Sequence, residues 1–123
     1  MKPGNIHVPE DCRAISEVLQ RIGDKWSVLV VGQLADGPLR FSEIRRAIGS
    51  ISQRMLTLTL RGLERDGLVT RTVHATVPPR VDYELTDLGR TLRDPIIALA
   101  DWARRNRPRI AKARARFDSA SER

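Results

Sequence analysis

A chain of 123 residues with 41% hydrophobic content has mass for one modest core, and its single cysteine, Cys12, excludes an internal disulfide framework and any multi-cysteine zinc site. No apolar run approaches the ~20 residues of a membrane span, and Met1–Asn5 carry no apolar signal region, so a cytoplasmic location without membrane contact is expected. The net charge of +7 is unevenly spread: residues 40–80 sum to +5 and 104–123 to +6, while 1–39 and 81–103 sum to −1 and −3. Two basic blocks suit a polyanion.

Residues 1–11, with Pro3, Gly4 and Pro9, read as an extended arm leading to a helix that starts near Asp11–Cys12. Ile15, Leu19 and Ile22 recur at i, i+4 and i+7 and predict one buried stripe, ended by Gly23–Asp24. A second helix, from Lys25 or Trp26 to Ala35, is apolar on several sides and is expected at the centre of the core. Asp36–Gly37–Pro38 is strong turn punctuation. Leu39–Phe41 suggests a very short strand, after which Ser42 is expected to cap a third helix through about Ala47. Gly49–Ile51 turns the chain, Ser52 is an N-cap candidate, and a fourth helix runs to Asp66 with Gly67 as its stop.

Val69 and its neighbours (68–73) and the run 81–85 read as the strands of a hairpin whose tip holds Pro78–Pro79. Thr86 is expected to cap a long C-terminal helix with Leu88, Leu92, Ile96, Leu99 and Trp102–Ala103 on one side, kinked or divided in two by Pro95. From Arg104 the composition turns to Arg, Ala and Lys, so residues 107–123 read as a basic, mobile tail in which Ile110, Ala113 and Phe117 are able to support a short helix on binding. There is no internal repeat. The expected organisation is an arm (1–11), one domain (12–106) and the tail (107–123). The fold class is mainly α with a small β-hairpin, a winged helix-turn-helix.

At ~100° per residue, Leu56, Leu60 and Leu63 share one narrow stripe of the fourth helix while Arg54, Leu58, Arg61 and Arg65 lie opposite. One face builds a core and the other offers cations to a major groove. Gln53, Arg54, Thr57, Leu58 and Arg61 are therefore base-reading candidates, with Ser52 at the start of the same helix. The bland alternative for these residues is a solvated charged face. Arg54 and Arg61 suit guanine O6 and N7, and Leu58 suits a thymine methyl, although a lone exposed leucine is ordinary. Arg40, Arg45 and Arg46 flank the third helix and are candidates for phosphate contacts that position rather than read. Arg80 beside Pro78–Pro79 is a candidate for a minor groove; His74 is either a phosphate or ligand contact or a plain strand residue. Gly62, mid-helix, costs ~1 kcal/mol against alanine and suggests close approach by a neighbour. The apolar surplus on the first and last helices marks Ile15, Leu19, Leu92, Ile96, Leu99 and Trp102 as dimer-interface candidates. Trp26 and Trp102 line either an effector pocket or the core.

These motifs resemble, in order, the HxlR-type group of MarR-like winged-helix regulators. Carrying the resemblance are Cys12, Ile22–Trp26, Asp36–Arg46, Ile51–Thr57, Asp66–Val69, Val77–Thr86 and Leu88–Gly89, covering about residues 12–103. The resemblance implies a transcriptional regulator acting as a homodimer on double-stranded DNA at a pseudo-palindromic operator, a recognition helix from about Ser52 to Asp66, a wing at 74–81 and dimer contacts from the terminal helices. Some relatives use a cysteine at the place of Cys12 to detect oxidants or electrophiles, so Cys12 is a redox-sensor candidate, against the bland reading of a small residue packed in the interface. Where relatives carry glutamine and glutamate in the recognition helix, this chain has Leu58 and Gly62, so its DNA site is expected to differ.

No cofactor or metal is expected. Two distant histidines and one cysteine argue against an enzyme, and Gly32 and Gly37, at P-loop spacing, are followed by Pro38–Leu39 rather than Lys and Ser/Thr. The rival reading is a winged-helix module whose arginines hold an acidic protein partner. Single-stranded nucleic acid is disfavoured because the recognition segment has no aromatics for stacking.

Overall fold

A computed structural model describes residues 9–121, with side chains described from Cys12 onward. The expected arm lies outside the described residues as far as residue 8. Helix α1 (Pro9–Gly23) begins two residues earlier than expected, and proline suits a helix's first position because the N–H it lacks would have no partner there. Asp24 separates α1 from α2 (Lys25–Leu34), its carboxylate accepting from Ser27 N at 3.2 Å and Ser27 Oγ at 3.3 Å. That pairing satisfies a hydroxyl that is almost fully buried.

Helix α2 touches α1, α3 (Phe41–Ile48), α4 (Gln53–Arg65) and the sheet, which is why it is apolar on several sides. The core consists of Val30, Val31 and Leu34 from α2, Ile44 from α3, Ile51 from the turn, Leu56, Leu60 and Leu63 from α4, and Leu68, Val69 and Leu85 from the hairpin root. The α4 stripe is buried as the periodicity predicts; at ~1.5–3 kcal/mol per buried leucine, those three side chains dominate the hold of α4 on the domain.

The sheet has the order β1-β3-β2, all antiparallel. Strand β1 (Leu39–Arg40) pairs with β3 (Arg80–Leu85), and β2 (Val69–His74) pairs with β3 from Val69 opposite Leu85 to His74 opposite Arg80. The short strand, the two helices around a turn and the hairpin together form a winged helix. Cap assignments differ in one place. Arg40, not Ser42, precedes α3, and its N–H donates to Glu43 Oε1 at 2.8 Å, because a glutamate three residues on can reach back where the serine cannot.

Thr86 caps α5 (Asp87–Arg90), which is separate from α6 (Arg93–Ser121). The division in two expected from Pro95 is present, and Pro95 sits in the first turn of α6, where a missing N–H costs nothing. The chain divides by compactness into a unit ending at Arg93 and one starting at Asp94, and residues 107–121, read from composition as a basic tail able to form a short helix on binding, continue α6. Their arginines, alanines and lysine are strong helix formers, which composition-based disorder arguments undervalue. None of the residues of α6 is buried. Among the described residues, no helix is long and apolar enough to cross a membrane.

Candidate nucleic-acid interface

Ser52 starts α4 by accepting from Met55 N at 3.0 Å, and Gly67 ends it with φ at +77°, a conformation that side chains resist. Between these ends Gln53, Arg54, Thr57, Leu58 and Arg61 are exposed, Leu58 by 52%. Among the described residues no carboxylate pairs with Arg54 or Arg61. The Thr57 hydroxyl donates to Gln53 O at 2.9 Å, which holds it in place while leaving its oxygen able to accept. Thr59, the other mid-helix threonine, is buried and donates to Met55 O at 2.8 Å.

Helix α3 carries Arg45 and Arg46 in its last turn, both exposed. With Phe41, Ser42, Gly49 and Gln53 they line a recess between α3 and the start of α4, so the phosphate candidates and the first base-reading candidate adjoin one concave surface. Arg40 lies just before α3 and opposite Asp82 of β3, which ties this surface to the wing strands.

On the wing, Arg80 is the first residue of β3, directly after Pro78–Pro79. Its Nη2 lies 3.2 Å from Asp82 Oδ2, and the same oxygen lies 3.0 Å from His74 Nε2. His74 and Arg80 face each other across the strands. One carboxylate two residues along the strand from Arg80 thus meets both side chains, so His74 is occupied within the wing, and sequence reading missed Asp82 because the link requires the strand register.

A second group missed from sequence joins α4 to the sheet. Thr57, Leu60, Arg61, Glu64, Arg71 and Tyr83 line a cavity there. Burial pushes the Tyr83 hydroxyl above its ordinary value of 10.0, with Arg71 and Arg61 opposing that shift and Glu64 adding to it. Alternation along the hairpin puts Arg71 opposite Tyr83 once the register is known.

Gly62 also finds its reason. Arg21 of α1 reaches over α4 to Asp66, with Nε to Oδ2 at 2.7 Å, and its guanidinium lies where a Cβ on residue 62 would be, Cζ at 2.5 Å. The neighbour inferred from the sequence is this arginine.

The dimer candidates are not covered within the chain. On α1, Ile15 and Leu19 are exposed rather than buried, since the stripe turns away from the domain, and Val18 is 60% exposed. On α6, Ile96 is half-buried, while Leu99 and Trp102 are 66% and 53% exposed; Leu92, just before that helix, is half-buried. Trp102 is therefore not core. Trp26 is half-buried with Lys25 Nζ 4.4 Å from its ring centre. Cys12 is half-buried in the first turn of α1.

The chain matches the HxlR-like helix-turn-helix family over residues 21–111. It is 40% identical over 114 residues to the HTH-type transcriptional regulator YtfH of Escherichia coli, an alignment spanning 93% of this chain and 89% of that protein. Among solved structures, the redox regulator HypR in its reduced form superposes with a TM-score of 0.75 at 43% identity, covering 80% of this chain and 98% of that one. The reduced transcriptional regulator YodB of B. subtilis gives 0.65 at 36%, covering 79% and 91%.

Proposed function

Since the chain belongs to the HxlR-like helix-turn-helix family and is a transcriptional regulator, we propose that it reads a pseudo-palindromic sequence in double-stranded DNA as a homodimer. The observation that carries this reading is the two-sided α4: a fully buried leucine stripe fixes the helix, and the opposite face presents Arg54, Leu58 and Arg61 to solvent. On this reading Gln53, Arg54, Thr57, Leu58 and Arg61 meet base edges, while Ser52, Arg40, Arg45 and Arg46 hold the backbone. Arg80 enters the minor groove from the wing, oriented by Asp82. The domain spans about residues 12–106 and includes the dimer contacts of Ile15 and Leu19 on α1 and of Leu92, Ile96, Leu99 and Trp102 around α6. Exposed apolar side chains on both helices support that assignment. Cys12 is the redox element, a reading supported by likeness to the redox regulator HypR and to the transcriptional regulator YodB, solved in a reduced form.

The test is mobility shift on the DNA upstream of its own gene and of the adjacent divergent gene, with half-sites expected about 34–36 Å apart. Arg54→Ala or Arg61→Ala loses ~1–3 kcal/mol and relaxes preference at one position per half-site, whereas Arg40→Ala weakens all sequences alike. If every variant binds all duplexes as the parent does, the arginines serve an acidic protein partner instead.

A further inference from the structure

We propose that Arg71 and Tyr83, in the cleft between α4 and the sheet, seat one phosphate of the duplex backbone. The proposal rests on the DNA reading and adds to it two residues from outside the base-reading and phosphate candidates. Outward along the hairpin, cross-strand pairs on the helix side of the sheet recur at every second residue: Val69 with Leu85, Arg71 with Tyr83, then Val73 with Val81. The first pair is buried in the core and the third is again apolar, so a middle pair with only a packing role would be apolar too. Instead it sets a guanidinium and a phenol beside the flank of α4. That flank carries Thr57, Arg61 and Glu64 at i, i+4 and i+7, and together with Leu60 these side chains line one cavity of about 290 Å³.

Arg61 and Arg71 therefore face a common space, where like charges repel. Among the described residues neither has a carboxylate partner, and the Tyr83 hydroxyl has no hydrogen bond. Guanidinium forks and a phenol O–H without acceptors are the complement of an oxyanion. Burial raises the Tyr83 hydroxyl above its ordinary 10.0, so at neutral pH it donates without repelling an anion. The Thr57 hydroxyl already donates to Gln53 O and serves as wall.

Topology selects the source of the phosphate. With α4 in a major groove and Arg80 in the neighbouring minor groove, the backbone strand that separates the two grooves passes between helix and wing, over this cleft. Glu64 argues against a dissolved ion. Two arginines and one glutamate leave the cavity a single positive charge, which suits a phosphodiester brought by the duplex better than the larger charge of inorganic phosphate. Arg61, about 40° from Thr57 and about 20° from Arg54 around α4 at ~100° per residue, stands at the lip and keeps its base-reading role.

The experiment measures binding of the full-length protein to the duplex upstream of its own gene. Arg71→Gln is expected to weaken every duplex at least about tenfold and to reduce the salt slope by about 2, one phosphate per protomer at ~0.9 each. Tyr83→Phe loses about threefold or more with the slope unchanged, because a neutral donor releases no counterion. Methylphosphonate scanning places the contact: neutralising one phosphate per half-site, at the boundary between the grooves, weakens the parent and leaves Arg71→Gln indifferent. Identical scans of parent and variant overturn the seat, as does an unchanged salt slope. Circular dichroism checks that Arg71→Gln is folded; if it is not, Tyr83→Phe carries the same scan. Inorganic phosphate exchanged for chloride at equal ionic strength should leave parent binding unchanged, and a loss that Arg71→Gln lacks would assign the cleft to a dissolved anion and overturn the backbone seat. A parent that binds no duplex defeats the DNA reading and the seat with it, whereas a parent that binds duplex with the same slope and scan as Arg71→Gln defeats the seat alone.

Discussion

Replacing Gly62 by alanine sets two effects against each other, and their sizes can be worked out from the contact with Arg21. Alanine in the middle of α4 gains ~1 kcal/mol in helix propensity over glycine. Its Cβ, however, would occupy the space of the Arg21 guanidinium, with Cζ at 2.5 Å. Arg21 is the flexible partner, so it swings away and gives up its 2.7 Å pairing with Asp66. Both side chains of that pair are about one-third exposed, which limits the loss to ~0.2–1 kcal/mol. Gly62→Ala alone should therefore change stability by less than ~1 kcal/mol, on the stabilising side. In an Arg21→Ala background the same substitution meets no obstacle and should deliver the whole propensity gain of ~1 kcal/mol. The assay is a double-mutant cycle from urea midpoints at one fixed protomer concentration, since the stability of the proposed dimer would depend on concentration. An identical effect of Gly62→Ala in both backgrounds would refute the steric account of the glycine.

Three further outcomes follow from the geometry. Leu19→Asp and Leu99→Asp each remove ~1.5–3 kcal/mol of apolar burial from the proposed dimer, about tenfold to a hundredfold in its dissociation constant; equilibrium sedimentation measures this, and unchanged dimers would move the interface elsewhere. Diamide is expected to alter DNA affinity by taking the two electrons and two protons released when the Cys12 thiols of two subunits join in a disulfide; Cys12→Ser keeps basal binding and loses the response. Unaltered affinity in a parent protein whose Cys12 modification mass spectrometry confirms would end the sensor reading. Tyr83 has a folded-state value raised by burial, so the stability it contributes is complete below its ordinary 10.0 and is lost as pH climbs through the raised value. Tyr83→Phe should flatten that alkaline decline in urea midpoints measured from about pH 9 upward, and an unchanged slope would assign the decline to other groups.

Much of the domain was legible because its signals are local. The leucine period of α4, the Ser52 cap and the Gly67 stop need only neighbours along the chain, and all three are in place. Periodicity on α1 identified an apolar stripe correctly but not what covers it, since a period says nothing about which side meets the rest of the chain; Ile15 and Leu19 face outward. The Arg21 contact with Gly62 joins residues of different helices, and the sharing of Asp82 by His74 and Arg80 depends on strand register. Neither is visible before folding. Residues 107–121 carried two signals: an arginine-rich composition was weighed as a property of a mobile tail, while Ile110, Ala113 and Phe117 at helical spacing carried the period of the helix that these residues form.

Where α4 gives way to the hairpin, three hydrogen bonds meet. Leu68 N donates to Leu63 O at 2.9 Å, Thr86 N to Leu68 O at 3.0 Å, and Thr86 Oγ1 to Gly67 O at 2.6 Å. Gly89 packs so tightly onto Leu68 O that a side chain there would collide with it. This joint locks the helix end, the root of the wing and the start of α5 into one rigid corner. In the proposed complex the protein then works as a caliper: the gap between the jaws, α4 and the wing tip, is set before any duplex arrives. A site whose major groove and neighbouring minor groove do not match that gap must bend to fit, and the stiffness of its base-pair steps becomes part of what is read.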